Sequence, residues 1–149
     1  MNLLYEKIIR PLLFKLEAER AHQIAAFSMR ILGKTSPLRG LVAYYCQTKS
    51  SPVRLFGLDF PNPVGLAAGM DKNGEFIKSA FALGFGHVEI GTITPQRQLG
   101  NARPRLFRYP SVNGIVNRMG FNNDGAEIVA DRIKRNYPKG KRNAPLGIN

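Results

Sequence analysis

Residues 64–74 read VGLAAGMDKNG and residues 88–95 read VEIGTITP. Each starts as a short apolar run and ends in glycine and polar side chains, the pattern of a buried strand running into a loop. Between them, Gly74–Leu83 has helical spacing, and Asn73 is of the residue type that caps a helix start. Farther on, Arg103–Arg118 carries Pro104, Pro110 and Gly114 and reads as a long loop or hairpin. Asp124–Tyr137 reads as a helix with Ile128, Val129 and Ile133 inward, and Leu146–Ile148 as a third strand. Strand, helix, strand, loop, helix, strand implies a parallel sheet, either open and doubly wound or closed into a barrel. Polar and glycine-rich motifs recur at the carboxyl ends of the strands, where barrel active sites lie, and this favours the barrel. A complete β/α barrel takes about 250 residues. A chain of 149 residues that reaches its third strand only at Asn149 is therefore expected to be the front part of a longer protein.

Upstream, Val53–Leu58 and Phe60–Pro63 read as a small strand pair turning near Gly57 to Asp59, placed to plug the bottom of a barrel. Residues 34–52, rich in Gly, Ser, Pro and polar side chains, read as a connector. Residues 2–33 read as two helices. Leu4, Ile8, Leu12 and Leu16 recur every four positions, and Ile24, Phe27, Ile31 and Leu32 share one side of a second helix from about Glu17 to Leu32. Pro11 lacks an amide hydrogen and starts a new turn or a kink, and Gly33 is a natural stop. Apolar stripes flanked by basic side chains fit either a membrane interface or a face packed on the rest of the chain.

Composition narrows the class. Hydrophobic residues make up 44% and charged residues 21%, which is globular rather than disordered. The single cysteine, Cys46, excludes an internal disulfide and a CxxC pair, and two distant histidines offer little to a metal. The longest stretch without Asp, Glu, Lys or Arg, Phe60–Met70, has eleven residues and two prolines. That is too short for a spanning helix of about 20 residues. The net charge of +12 favours anionic partners. Six basic residues and no acid follow Asp131; such runs are usually solvated surface. A basic nucleic-acid-binding module is the alternative that the charge raises, but no RNP, KH or zinc-finger pattern is present, so no nucleic acid is expected.

Four motifs carry chemistry. In Ala67–Gly74, small residues let backbone amides approach a flat or anionic ligand, and Lys72 adds a fixed positive charge. Neither a GxGxxG fingerprint nor a GxxxxGK[ST] phosphate loop is present. Read blandly, this is a strand-to-helix turn with a surface lysine. Glu89–Pro95 offers the Thr92 hydroxyl at the next strand end, and Asn149 an amide at the third. Asn117–Asn123 packs three amides and an arginine around Gly120, a donor and acceptor set suited to a small, polar, planar ligand and denser than a structural loop needs. Strand ends that converge in this way imply one pocket.

The ordered set NPVGLAAGMDKNGE, GFGHVEIGTITPQRQLGN, RPRLFR, GIVNRMGFNN and LGIN resembles dihydroorotate dehydrogenase. Glu19-Arg20-Ala21-His22 and the two-helix leader are similar to the membrane-associated, quinone-dependent class. The resemblance implies an FMN-binding (β/α)₈ barrel that oxidises dihydroorotate to orotate in pyrimidine synthesis and passes electrons to a membrane quinone. It divides the chain into a helical leader over residues 1–45, which associates with the membrane and forms the quinone tunnel, and the first part of the barrel over residues 46–149. It assigns Ala68, Gly69, Met70, Asp71, Lys72, Thr92 and Asn149 to the flavin. Lys72, Asn117, Arg118, Met119, Gly120 and Phe121 go to the substrate, and His22 and Arg108 to the quinone tunnel. The family's catalytic serine, in an Asn-x-Ser-Ser-Pro-Asn type motif, is not in the sequence, so no catalytic base and no independent activity are expected of these residues. The implied place is peripheral, on the cytoplasmic face of the inner membrane. Another flavin-dependent barrel oxidoreductase is the alternative within the fold.

Overall fold

A computed structural model describes residues 3–47, 51–142 and 144–149. A π-helical turn, Tyr5–Ile9, leads into α1 (Arg10–Phe14), with Pro11 in its first turn where no intrahelical donor is needed. Residue 2, at the start of the expected helix, lies outside the described residues. α2 (Ala18–Lys34) starts where the Glu17 carboxylate accepts the N–H groups of Glu19 and Arg20 at 3.0 and 3.1 Å. Gly33 does not stop it. The helix ends at Thr35, whose N–H and hydroxyl both return to the Ile31 carbonyl. Gly33 instead gives room to the Ser79 hydroxyl, which a Cβ would meet at 3.0 Å and which donates to the Met29 carbonyl.

The expected connector holds a helix, α3 (Ser36–Tyr45); residues 48–50 lie outside the described residues. Pro37 sits in the first turn, where proline favours a helix, and Gly40 is only a weak penalty. No described helix is long and apolar enough to cross a membrane.

Strands β1 (Val53–Leu55) and β2 (Leu58–Phe60) form an antiparallel hairpin. Its turn is Phe56-Gly57, earlier than expected, because both residues take positive φ, 52° and 73°, as a two-residue hairpin turn requires. Phe60 packs edge-on against His87, the first residue of the central strand of the parallel sheet, so the hairpin stands at the amino ends of that sheet.

The sheet is parallel, in the order β3 (Gly65–Leu66), β4 (His87–Ile90), β7 (Leu146–Ile148), with Leu66 beside Val88 and Ile90 beside Ile148. Val88 and Ile90 are fully buried against Ile77 and Ala80 of α4 (Ile77–Ala82) and Val129 and Ile133 of α5 (Ala126–Asn136). Val129, Ile133 and Tyr137 form an i, i+4, i+8 stripe; Ile128, expected inward, lies off it and is half exposed. Asn73 does not cap α4. The buried Asp71 carboxylate takes the N–H groups of Asn73, Glu75 and Phe76 at 3.3, 2.9 and 3.0 Å, and the Asn73 side chain accepts from the Asp124 N–H. The stretch Arg103–Arg118 is a hairpin, β5 (Leu106–Tyr109) against β6 (Gly114–Asn117).

One ion cluster joins the helices to this hairpin. Glu19 of α2 is buried and receives Arg105 Nη2 at 2.8 Å and Arg103 Nε at 3.1 Å. Burial alone would raise its carboxyl pKa, but the hydrogen bonds and charge of Arg105, helped by Arg103, hold it below the usual value. The pair therefore stabilises the fold above the ordinary carboxylate range and loses that contribution as pH falls through the depressed value. Glu19→Gln leaves Arg105 buried without its counter-charge and is expected to cost about 3–5 kcal/mol, measured by urea denaturation at neutral pH, with the deficit shrinking on acidification.

Candidate active site

The carboxyl ends of the three parallel strands open into a cavity of about 730 Å³. β3 delivers Ala68, Gly69, Met70 and Lys72, and β4 delivers Gly91 and Thr92. The hairpin supplies Leu106, Ile115 and the run Asn117–Phe121, and α2 contributes His22. Another cavity, of about 630 Å³, lies between α3, α4 and α5 near the strands' amino ends; it contains Cys46 and none of the predicted site residues.

Backbone geometry sets the cavity floor. Gly69 has φ of 102°, and a Cβ there would meet nothing within 4 Å, so its peptide faces open space. Its N–H is tied to the Gly91 carbonyl at 2.8 Å, linking the two strand ends. The Thr92 hydroxyl donates to Asn149 Oδ1 at 2.5 Å, and Asn149 Nδ2 donates to Glu89 at 3.2 Å, so β4 and β7 are joined at the rim. The turn after β3 separates the neighbours Asp71 and Lys72. Asp71 turns inward to accept N–H groups of the turn ahead of α4, away from the cavity, while Lys72 turns toward it. Lys72 Nζ donates to the Gly69 carbonyl, leaving donors for an anion. Asn117 Oδ1 accepts the Met119 N–H, which leaves its NH₂ group for a ligand carbonyl.

A third cavity, of about 490 Å³, opens between α1, α2 and the hairpin, walled by Leu13, Phe14, Ala21 and Ala25. It shares His22, Met70, Leu106 and Ile115 with the first. Arg108 lies here rather than in the first cavity. It donates to the Leu16 carbonyl at 3.0 Å and stacks over Phe14, 4.8 Å from the ring centre. The structure thus gathers Ala68, Gly69, Met70, Lys72, Thr92 and Asn117–Phe121 around one space, sets Asn149 beside Thr92, and places His22 in the wall toward the cavity that holds Arg108. Asp71 stands apart. Gly91, Asn101, Leu106 and Ile115 also line the first cavity; β-strand alternation from Arg108 back to Leu106 was the only signal in sequence.

Charge at the wall is crowded. Burial lowers the His22 pKa below 6.5, and the nearby Lys72 lowers it further against the pull of Glu19. Burial and then Arg105 lower the pKa of Lys72, partly offset by Glu19 and Asp71.

The fold and this site define an α/β enzyme fold containing part of a β/α barrel, with its cavity at the strand carboxyl ends. A family model for dihydroorotate dehydrogenase matches residues 51–149, and the chain belongs to that family. It is 47% identical to a dihydroorotate dehydrogenase (quinone) of Methylococcus capsulatus over 99% of this chain and 41% of that protein. It is 51% identical to one of Stenotrophomonas maltophilia over 95% and 39%. The crystal structure of DHODH from Eimeria tenella in complex with ferulenol superposes with a TM-score of 0.65 at 36% identity, over 85% of this chain and 35% of that one. The chain spans about 40% of the length of these curated relatives.

With no ligand bound, His22 is expected to titrate below 6.5 by NMR, and Lys72→Ala to move that midpoint upward by removing the neighbouring positive charge.

Proposed function

We propose that this chain forms part of an FMN-dependent enzyme that oxidises dihydroorotate to orotate in pyrimidine biosynthesis and passes the electrons to a membrane quinone. The observation that carries this is the pair of cavities meeting at His22 and Met70: one lined by strand ends and the Asn117–Phe121 run, one walled by leader helices. A two-electron carrier seated at the first, with separate access for donor and acceptor, is the chemistry such a pair suits. The names of the relatives support the same reaction.

The residues present fit a flavin ring. The open space over Gly69, the Lys72 ammonium, the Thr92 hydroxyl and the Asn149 amide form a flat seat with polar edges, and these residues would hold it. FMN, when bound, supplies the acceptor of two electrons that no side chain here provides. The chain's own residues do the rest. Lys72 pairs with the substrate carboxylate, the Asn117 amide meets the substrate ring, and Arg118–Phe121 cover it from water. His22, held neutral by burial and by Lys72, and Arg108 line the acceptor's path.

In the longest form of the protein that carries this segment, Lys72→Ala is expected to reduce flavin content. It should also lower kcat/KM for dihydroorotate by about 2–5 kcal/mol of transition-state stabilisation, with Lys72→Arg rescuing only in part. Flavin occupancy and steady-state kinetics with dihydroorotate and a quinone test this. Wild-type values in Lys72→Ala overturn the assignment, and FMN loading without dihydroorotate turnover points to another flavin oxidoreductase of the same fold. The 149-residue chain alone, whose sheet leaves both β3 and β7 as edges and Val64 and Ile148 exposed, is expected to show no turnover.

The leader lies on the inner membrane's cytoplasmic face in this reading. Leu4, Ile8 and Leu12, and Ile24, Phe27 and Ile31 on α2, are exposed, with Lys7, Arg10 and Lys15 among them. Each cation near an anionic surface is worth about 1 kcal/mol. Sedimentation with anionic vesicles is expected to show binding that weakens with salt; equal binding to neutral vesicles removes the electrostatic part.

A further inference from the structure

Arg105 is buried and spends its donors in two directions. Nε and Nη2 grip the Glu19 carboxylate at 2.8–3.3 Å. Nη1 points the other way, to the carbonyls of Leu99, Asn101 and Met119 at 2.8, 3.1 and 3.5 Å. Those carbonyls belong to two segments, the Asn117–Phe121 run itself and the stretch 99–101 that packs against it. The segments are bound to each other as well: the Asn101 N–H donates to the Met119 carbonyl at 3.0 Å, and Asn101 Nδ2 to the Arg118 carbonyl at 2.8 Å. They are pressed close enough that a Cβ on Gly100 would stand 2.2 Å from the Met119 oxygen and 2.7 Å from Arg105 Nη1. On the other side, Glu19 lies one helical turn before His22, the residue that lines both cavities.

We propose that Glu19 and Arg105 are positioning residues that fix the substrate loop and the His22 wall to each other, so that both sides of the reaction depend on one ion pair. The proposal rests on the reaction given above. A guanidinium can serve both directions at once because its donors are spread over a rigid fork; an ammonium on a flexible stem holds one side at a time. Touching neither the flavin seat nor the acceptor, the pair acts through the Met119 carbonyl and through α2.

Arg105→Lys in the longest form of the protein is the test, read by hydrogen exchange and by kinetics. Amides of residues 117–121 are expected to exchange about tenfold faster, with those of β4 and α5 unchanged. The KM values for dihydroorotate and for quinone are each expected to rise about tenfold while kcat stays within about threefold. Arg103→Ala, which removes the more exposed of the two partners, is expected to change either KM by less than about twofold. A merely structural role predicts faster exchange throughout the chain, or a fall in kcat at constant KM from a smaller folded fraction, and either result overturns the proposal. So does unchanged exchange in residues 117–121. If Arg105→Lys does not fold, Glu19→Asp, which keeps the charge and withdraws it by one methylene, is read against the same expectations. Absence of dihydroorotate turnover in the wild type defeats the proposed reaction, whereas the exchange pattern decides the positioning of the loop by itself.

Discussion

A single carboxylate taken out of water organises the molecule. Glu19 is buried between Arg103 and Arg105, and a charge so placed is tolerable only with partners in good geometry. The partners come from a segment more than 80 residues away in sequence, so α2 cannot leave the hairpin without uncovering a buried charge on each side. The contact also places the helical leader. With α2 fixed at Glu19, His22 falls between the two cavities, and the close seat of Gly33 on Ser79 sets the helix against α4.

The excess of positive charge takes several forms. Arg105 is interior. Arg132 bridges Asp124 and the Asn73 carbonyl at 2.7 Å each, tying the start of α5 to the turn after β3. Arg10 and Arg108 lie over the Phe14 ring. Lys134 and Arg135, in contrast, are exposed at the end of α5, where cations suit the helix dipole. A net charge of +12 thus combines structural arginines with solvated surface.

Much of the sheet was legible because its strands are apolar runs bounded by glycine, a local signal. Val88 and Ile90 read as buried and are buried. The loops after β3 and β4 also declared themselves, since the alternation of strand and helix says which ends converge. What failed was the choice between competing local signals. Pro37 and Gly40 looked like breakers, yet Pro37 falls in a helix's first turn. Asn73 and Asp71 are both of a cap-forming type, yet neither caps α4: Asp71 takes three amides of the turn ahead of the helix, and Asn73 takes the Asp124 N–H. The Glu19–Arg105 pair left no trace in either segment, because neither end carries a pattern that names the other.

The turn after β3 gives opposite duties to adjacent residues: Asp71 faces the core and Lys72 the cavity. Because three N–H groups of the turn that follows it hold the Asp71 carboxylate, the acid next in sequence to Lys72 is spent inside the fold, and an anion arriving at the cavity mouth meets the ammonium ahead of the carboxylate. The sign of the field at the entrance is thus set by which of two adjacent side chains the backbone amides of the turn capture.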